Sequence, residues 1–583
     1  MVDEKQIESI YKSFGKERKA LQAEGRVPEW FTTAAWQMFR EKYITDENPD
    51  IKTTYERIAK QAASRMDVDV AEMQIWENKF FDLMWKGWLA PSTPVLANMG
   101  AGRGCPVSCS GGYIGDSVYG FYESQKEAAL LSKNGFGTSG YMGSIRPRGA
   151  PITSGGKASG ILSVFKDFIQ MSRDISQGST RRGAWAGYVE IDHEDFWELA
   201  DHIQAFPDDA NIGWIVSDEF IGKLDDGDGD ALQRFQRAMK LKMVTGKGYF
   251  FFVDKVNKLS PQCYADRGLK VHASNLCTEI TLHSDSSETG RGGSDLTFTC
   301  VLSSMNLAKY DEWKDTEAVF ESTVFLDCVA EDFIQIGKEI RGLEASVRFT
   351  EKSRALGLGT LGFHTYLQQN MIPFEGLEAH MKNNEIYSKI NNEAERASAW
   401  MAERFGEPEW CVGYGRRNTH LIAIAPNLSS ALICGGVSQG IEPVYKNAYI
   451  QATAAGEVNR INPILVGIMK ERKVFNHDNI ADIIENHAGS VQHVEWLSDD
   501  EKEVFKTAFE INQEAIIRLA SARQRHIDQA QSINLFFSAD EDEEVIARVH
   551  EMAFRDPYIK SLYYIRSESG VKASSGECVA CSG

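Results

Sequence analysis

The amino-acid sequence predicts a mixed α/β fold preceded by a helical N-terminal segment, on three observations. Residues 1 to about 85 mix apolar and charged side chains at helical spacing. From Pro91 to Gly160 glycine-rich loops separate short runs, and from 160 to 345 helices alternate with short apolar strands. The C-terminal part closes with a β–α–β-like piece. The 583 residues suffice for several domains or one large one, at roughly 100–200 residues per domain. No internal repeat or low-complexity linker interrupts them.

In chain order, Thr32–Tyr43 and Thr54–Ala63 read as helices of the N-terminal part. Gly120–Asn134 is a helix candidate inside the glycine-rich region, whose loops let the backbone approach a ligand closely. Ile212–Val216, Tyr249–Val253, Leu296–Leu302 and Leu421–Ala425 are short apolar runs that suit buried strands. Leu377–Phe405 reads as a long charged helix, and a helical region extends to about Ala522. The closing piece is strand Ser532–Phe537, helix Asp540–Phe554 and strand Ser561–Ile565. The division is a helical region over 1–85, an α/β body over 86–565 and a flexible tail over 566–583.

Hydrophobic residues make up 43 % and charged residues 25 %, which excludes a collagen-like, disordered or small secreted chain. Lys and Arg number 63 against 83 Asp and Glu, a net charge of −20 with a pI near 5.2. Such a field repels phosphate backbones, so no nucleic-acid partner is expected, although a local basic pocket can hold a nucleotide. The first residues, MVDEKQIESIYKSFGKERKA, carry charges throughout and lack a secretory apolar core. No apolar run approaches the ~20 residues of a membrane helix, so no membrane partner and a cytoplasmic location are expected.

Two short motifs are decoys. Gly357-Leu-Gly359-Thr-Leu-Gly362 matches G-x-G-x-x-G, but the preceding EKSRA is a poor first strand for a dinucleotide fold. TSGGKAS around Lys157 resembles a P-loop, yet Pro151 replaces its first glycine and Ala158 stands where a Mg²⁺-binding hydroxyl belongs.

Ten cysteines in a chain without a secretory signal point to chemistry rather than structural disulfides. Cys578 and Cys581 lie in SGVKASSGECVACSG, a small, polar terminal stretch that cannot bury a thiol. Together with Cys105 and Cys109 they could be read as a four-thiolate zinc site, but a mobile end is a poor metal cage, and no metal is expected in this chain. Ser274-Asn-Leu-Cys-Thr-Glu-Ile280 sets an amide, a thiol and a carboxylate at 275, 277 and 279, which an extended stretch would turn to one face. Cys300 lies in LTFTCVLSSMNL and Cys109 in GCPVSCSGGY. One thiol beside a base is a possible nucleophile. Three separated thiols, a carboxylate and a terminal dithiol suggest thiol redox turnover on a substrate.

Over about residues 85–583 these features resemble the large, catalytic subunit of ribonucleotide reductase. The resemblance rests on APSTPVLANMG (90–100), Ser108-Cys109, NLCTEI (275–280), the Cys300 strand, APNLSSALICGGVSQGIEP (425–443), Tyr563-Tyr564 and the terminal CVAC, in that order. It implies a ten-stranded α/β barrel of two parallel five-stranded halves, with a central finger loop carrying Cys277. By the same resemblance, Cys277 becomes a thiyl radical that takes the ribose 3′ hydrogen, Glu279 is the base for the 3′-hydroxyl, and Asn275 hydrogen-bonds the ribose hydroxyls and orients that carboxylate. Cys109 and Cys300 are the pair that reduces the 2′ position, and Cys578 and Cys581 are the shuttle that restores it, fed by thioredoxin or glutaredoxin.

Adjacent tyrosines such as Tyr563-Tyr564 mark the class I members, in which they relay a radical from a small metal-containing β subunit; no cofactor is covalently bound in this chain. Ser92, Thr93, Ser108 and Asn427, Leu428, Ser429 and Ser430 match positions around a ribonucleoside diphosphate substrate. Asp116, Ser117 and Arg146, with Arg148 as a neighbouring alternative, match a site for a dNTP or ATP effector. Ala205–Gly213 is the candidate loop linking the two sites, and a homodimer is implied. Too few residues precede the core for the ATP-cone of many relatives, and residues 1–50 show no matching pattern. The alternatives are an adenosylcobalamin-dependent (class II) reductase, a non-catalytic nucleotide-binding homologue and a zinc-binding structural protein.

Overall fold

The computed structural model describes residues 4–153, 155–177, 181–209, 211–286, 295–453 and 456–567. Four helices, Glu4–Ala23, Thr33–Lys42, Ile51–Ala63 and Val70–Trp85, form the N-terminal part. Local chemistry sets their starts. Thr32 accepts from the Ala35 amide, Asp69 accepts from the Glu72 amide, and Asp50 and Thr53 form a reciprocal capping box. The apolar stripe of Ile51–Ala63 buries Tyr55, Ile58, Ala59 and Ala62. Helix Ala318–Lys338 receives this layer through Phe80 against Phe325 (ring centroids 5.4 Å) and an Arg65–Asp332 ion pair of 2.7 Å.

The strands that build the two halves, in chain order, are β1 (Leu89–Pro91), β2 (Cys109–Tyr113), β3 (Gly137–Tyr141), β4 (Trp185–Glu190), β5 (Asn211–Val216), β6 (Tyr249–Phe252), β7 (Phe298–Cys300), β8 (Leu302–Asn306), β9 (Gly357–Leu361), β10 (Leu535–Phe537), β11 (Ser561–Leu562) and β12 (Ile565–Ser567). Strands β2 to β6 form a parallel five-stranded sheet in sequential order, with β7 antiparallel beside β2 and β11 antiparallel beside β6. This is the first of the two expected halves.

The second half is less regular. β8 and β9 pair in parallel, with β1 antiparallel on the outer edge of β8. The Leu358 amide then bonds the Leu421 carbonyl, Ile424 bridges Gln531 in parallel, and β10 pairs in parallel with β12. Leu421–Ala425 therefore runs extended between its neighbours without a continuous ladder. The reason is local: the Asp528 carboxylate accepts the Leu421 and Ile422 amides at 2.7 and 2.9 Å, taking donors a strand would have used.

Two predicted single strands each divide between the halves. Leu296–Leu302 breaks at Val301, so β7 joins the first half and β8 the second. Ser561–Ile565 breaks at Tyr563-Tyr564, so β11 joins the first half and β12 the second. Helix Leu377–Phe405 has its predicted bounds, and the helix expected over Asp540–Phe554 runs Glu543–Arg555. Residues 357–362 form buried β9 and its cap. A Cβ on Gly359 would lie 2.7 Å from the Ala423 carbonyl oxygen, so that glycine serves strand contact rather than a pyrophosphate. Pro151 and Lys157 pair in an isolated antiparallel bridge. Among the described residues no helix is long and apolar enough to cross a membrane.

Candidate active site

The 274–280 segment enters the space between the two halves as a finger, but not in the extended form the alternation suggests. The chain turns at its tip: the Thr278 amide bonds the Asn275 carbonyl at 3.4 Å, and Thr278 has φ +68°. Asn275 closes the turn with its own side chain, whose oxygen accepts the Ile280 amide at 3.2 Å. Side chains of both halves hold the tip. From the first half, Ser139 Oγ donates to the Ser274 carbonyl (2.8 Å) and Tyr188 Oη to the Asn275 carbonyl (2.5 Å). Ser532 Oγ, from the second half, donates to the Cys277 carbonyl (2.5 Å), and Ser561 Oγ, on β11 at the far edge of the first half, to the Thr278 carbonyl (2.9 Å). Gly213 makes room for the Tyr188 ring, which would lie 2.3 Å from a Cβ there.

Cys109 and Cys300 are directly opposed in the antiparallel β2–β7 pair. Opposed residues in such pairs have Cα atoms ~4.5–5.5 Å apart, within the span of a disulfide, so the pair can oxidise without moving the backbone. Burial, then the neighbouring Cys109 thiol, pushes the Cys300 pKa well up, with Glu279 and Cys277 adding to the shift. The three cysteines and the carboxylate thus occupy one small enclosed space. Burial, reinforced by Cys109, raises Glu279 to about 8, against the bonds from Asn275 and Ser532 that favour its charged form. The Thr278 hydroxyl is buried without a hydrogen-bond partner in the protein. Such a group is available to a polar ligand.

The tyrosine pair lies where β11 gives way to β12. Tyr563 Oη donates to Cys277 Sγ at 3.4 Å, and the Tyr563 and Tyr564 ring centroids are 4.1 Å apart. A third aromatic, Tyr249 on β6, was not singled out in the sequence. Its hydroxyl donates to Tyr564 Oη at 3.0 Å and its ring lies 4.8 Å from Tyr563. Within the apolar run YFFF it carries no mark that separates it from core filling. Lys242, also missed, is fully buried and donates to the carbonyls of Gly248 and Tyr563. Burial lowers its pKa to about 7.

The expected substrate residues gather at the edge of the second half. Ala90, Leu361 and Cys434 form one small apolar cluster, which brings the Ser92–Thr93 turn to the 427–434 segment. Ser92 Oγ is buried and unpartnered, whereas Thr93 shares a 3.0 Å hydrogen bond with Tyr43. Ser108 is buried, and its amide bonds the Cys300 carbonyl. Asn427 has φ +62° and opens helix Leu428–Ile433, with Ser429 and Ser430 buried in its first turn.

The expected effector residues form a separate group. Arg146 Nε lies 2.6 Å from the Asp116 carboxylate, and Ser117 caps helix Val118–Lys133 by accepting the Gly120 amide at 2.9 Å. Arg148 is instead held by both Glu198 oxygens, at 2.8 and 2.7 Å, so Arg146 is the arginine that faces Asp116. The Ala205–Gly213 loop does join a helix to a strand. Its Asp209 pairs with Arg173 and, at 3.3 Å, with His202, and Asn211 at its end accepts from Tyr564 Oη at 3.5 Å. Cys105 is buried with its thiol pushed up to about 12, which opposes a thiolate zinc site. Cys578 and Cys581 lie outside the described residues.

Comparison with known proteins agrees with this arrangement. The pattern of the ribonucleotide reductase barrel domain matches residues 107–232, 228–411 and 409–565, and that of the ribonucleotide reductase all-alpha domain matches 29–104. A putative ribonucleoside-diphosphate reductase large subunit of Frog virus 3 is 32 % identical, covering 87 % of this chain and 92 % of the relative. A ribonucleoside-diphosphate reductase large subunit of Invertebrate iridescent virus 3 is 29 % identical over 92 % of this chain and 94 % of its own. Among solved structures, the class Id ribonucleotide reductase alpha subunit of Actinobacillus ureae superposes with a TM-score of 0.83 at 37 % identity, covering 93 % of this chain and 98 % of that one. With both domains matched in order and a finger turn inside the barrel, the chain belongs to the ribonucleotide reductase large-subunit family.

Proposed function

We propose that this chain is the catalytic subunit of a class I reductase that converts ribonucleoside diphosphates to 2′-deoxyribonucleoside diphosphates, with Cys277 as the radical-bearing residue. The observation that carries this reading is the unbroken line Tyr564–Tyr563–Cys277, ending on the Tyr563 hydroxyl at 3.4 Å from the cysteine sulfur. The class I likeness implies a separate radical-generating subunit and a nucleotide substrate.

In the proposed cycle the Cys277 thiyl takes the 3′ hydrogen atom of the ribose. Glu279 accepts the 3′-hydroxyl proton, and Cys109 gives a proton to the 2′-hydroxyl, which leaves as water. Cys109 and Cys300 supply two electrons in all and end as a disulfide, and Cys277 returns a hydrogen atom to the 3′ carbon. The sum is one ribonucleotide and two thiols giving one deoxyribonucleotide, one water and one disulfide. Dithiol exchange with Cys578 and Cys581 restores the pair, with thioredoxin or glutaredoxin as external reductant. Burial supports the radical at Cys277 and the neutral thiol acid, which both need a site closed to bulk water.

Ser92, Thr93, Ser108 and the Asn427–Ser430 turn bind the substrate in this reading. Asp116, Ser117 and Arg146 bind the effector: a carboxylate suits a ribose hydroxyl and a guanidinium suits phosphate. A homodimer couples that site to substrate choice. The adenosylcobalamin alternative is disfavoured by the tyrosine pair, and a non-catalytic homologue by the intact cysteine set. The direct test is a single turnover of prereduced protein with its radical-generating partner and CDP. In a chain with Cys578 and Cys581 replaced by Ser, so that the pair is not restored, deoxycytidine diphosphate should form as two thiols disappear at Cys109 and Cys300; product without loss of that pair would refute the assignment. Titrating dATP against CDP reduction tests regulation, with stimulation to a plateau expected.

A further inference from the structure

Ser532, a residue to which the proposed cycle gives no part, stands between the two reacting ends of the finger. The chain around it runs along the finger's base: the Ala530 amide bonds the Glu279 carbonyl at 2.9 Å, and the Gln529 side-chain oxygen accepts the Thr281 amide at 3.0 Å. This frame holds the Ser532 hydroxyl against two acceptors at once. Its Oγ lies 2.5 Å from the Cys277 carbonyl oxygen and 3.2 Å from Glu279 Oε2. Ser532, Cys277 and Glu279 are 2 %, 5 % and 1 % exposed, so bulk water does not replace a missing partner.

A serine hydroxyl has one hydrogen to give. The shorter contact takes it for the Cys277 carbonyl, and the longer one then sets a Ser532 lone pair against Glu279. That contact is a hydrogen bond only while the carboxyl carries a proton and donates it. Once Glu279 ionises, oxygen faces oxygen with no hydrogen between, unless Ser532 turns its hydrogen from the carbonyl to the carboxylate. A bond to an ionised group is roughly twice as strong as a neutral one, so the turn is favoured. The other titratable groups around this carboxylate are Cys109 on β2, Cys300 on β7, Tyr188 on β4 and Cys277 on the finger itself; burial holds Cys300 and Tyr188 protonated. Burial and Cys109 oppose the charge on Glu279, and its own amide, Asn275 and Ser532 favour it.

We propose that Ser532 is a positioning residue whose single hydroxyl hydrogen alternates between the Cys277 carbonyl and the Glu279 carboxylate, so that the charge of the base and the hold on the fingertip change together. With Glu279 ionised, the hydrogen stabilises the carboxylate and the Cys277 carbonyl is released. When Glu279 takes a proton, the hydrogen returns and the carbonyl is clamped. Ser532 gains and loses no atom; its hydroxyl only rotates. Tyr188 and Ser561 keep the neighbouring Asn275 and Thr278 carbonyls throughout, so the release is confined to residue 277. The catalytic meaning rests on the assignment of Glu279 as the base: transfer of the 3′-hydroxyl proton to Glu279 then tightens the tip that carries the radical residue.

The test is infrared difference spectroscopy of the full chain between about pH 6 and 10, with ¹³C-labelled cysteine carbonyls and with neither substrate nor a radical-generating partner. Glu279→Gln identifies the Glu279 carboxyl band and the carbonyl changes that depend on it. In the wild type that band should vanish near pH 8, and one labelled carbonyl should shift at the same pH to the frequency of a weaker hydrogen bond. Ser532→Ala should move the carboxyl transition to higher pH and abolish the linked carbonyl shift. With a radical-generating partner it should lower CDP reduction at pH 7 by about tenfold, the loss expected for one charge-assisted bond. Ser532→Thr, which keeps the hydroxyl, should restore both. A carbonyl band that stays still in the wild type while the carboxyl ionises would overturn the proposal without any variant having to fold, and so would an unchanged carboxyl transition in folded Ser532→Ala. The spectra involve no turnover, so linked bands in a chain that forms no deoxynucleotide would retire the reductase assignment and leave this one, and product without linked bands would do the reverse.

Discussion

The phenolic hydroxyl of Tyr563 donates to Sγ of Cys277 across 3.4 Å, joining residues 286 positions apart in the chain. Tyr563 reaches the finger because the chain crosses there from the antiparallel edge of one half-barrel to the parallel edge of the other. The sulfur is buried, so the tyrosine provides a direct contact through which a radical can arrive without exposing the thiol to solvent.

Cys277→Ser is therefore expected to abolish turnover. The serine side chain is similar in size and its neighbours are unchanged, so nucleotide affinity should remain within about twofold, well inside the tenfold that ~1.4 kcal/mol represents. Equilibrium binding of CDP beside a product assay checks both parts. Substantial deoxynucleotide formation would remove the thiyl assignment.

Tyr563→Phe or Tyr564→Phe should also eliminate turnover, because the ring stays packed while the oxidisable hydroxyl is lost. Tyr249→Phe should have a milder effect. It removes only the hydrogen bond to Tyr564 Oη, so a loss of about tenfold in kcat, or ~1.4 kcal/mol, is expected with KM unchanged. Steady-state kinetics of the three variants separates relay from support; full activity in Tyr564→Phe would count against the relay.

The pH dependence follows from Glu279. Burial, with Cys109 adding, lifts its carboxyl to about 8, so it is largely protonated at neutral pH. A base must be ionised, so turnover should rise with pH up to about 8. The stability effect has the opposite sign. The folded state holds this proton more tightly than the unfolded state, so the contribution is fully present below the ordinary carboxylate range and is lost as pH rises toward 8. Glu279→Gln should remove the rise in rate and most of the activity. A wild-type rate flat between pH 6 and 9 would argue against Glu279 as the base.

Replacing Cys578 and Cys581 by Ser should spare one turnover of prereduced protein and stop repeated turnover driven by thioredoxin or glutaredoxin. The Cys109–Cys300 pair is buried, so a bulky reductant cannot reach it directly. A small permeating dithiol should partly restore cycling. Loss of the first turnover would assign the tail another role.

Much of this site was legible in the sequence because its chemistry sits in short local patterns. Asn275, Cys277 and Glu279 fall within five residues, and the tyrosines are adjacent. The structure places Asn275, Cys277 and Glu279 on one finger but not in the local geometry expected: alternation suggested an extended strand, and the finger is a turn with Thr278 at φ +68°. The supporting residues were hidden. Ser532, Tyr188 and Lys242 act through contacts set by strand order across the barrel, and Tyr249 looks like any aromatic of a buried strand. The division of Leu296–Leu302 between the halves was equally invisible, since an apolar run does not reveal where its hydrogen bonds change partners.

The most direct measurement of the central claim is CDP reduction by the prereduced chain under three conditions: alone, with a class I radical-generating subunit, and with adenosylcobalamin. The Tyr564–Tyr563–Cys277 line predicts deoxycytidine diphosphate only with the subunit, and its loss in Tyr563→Phe. Product with adenosylcobalamin and no second subunit would contradict it.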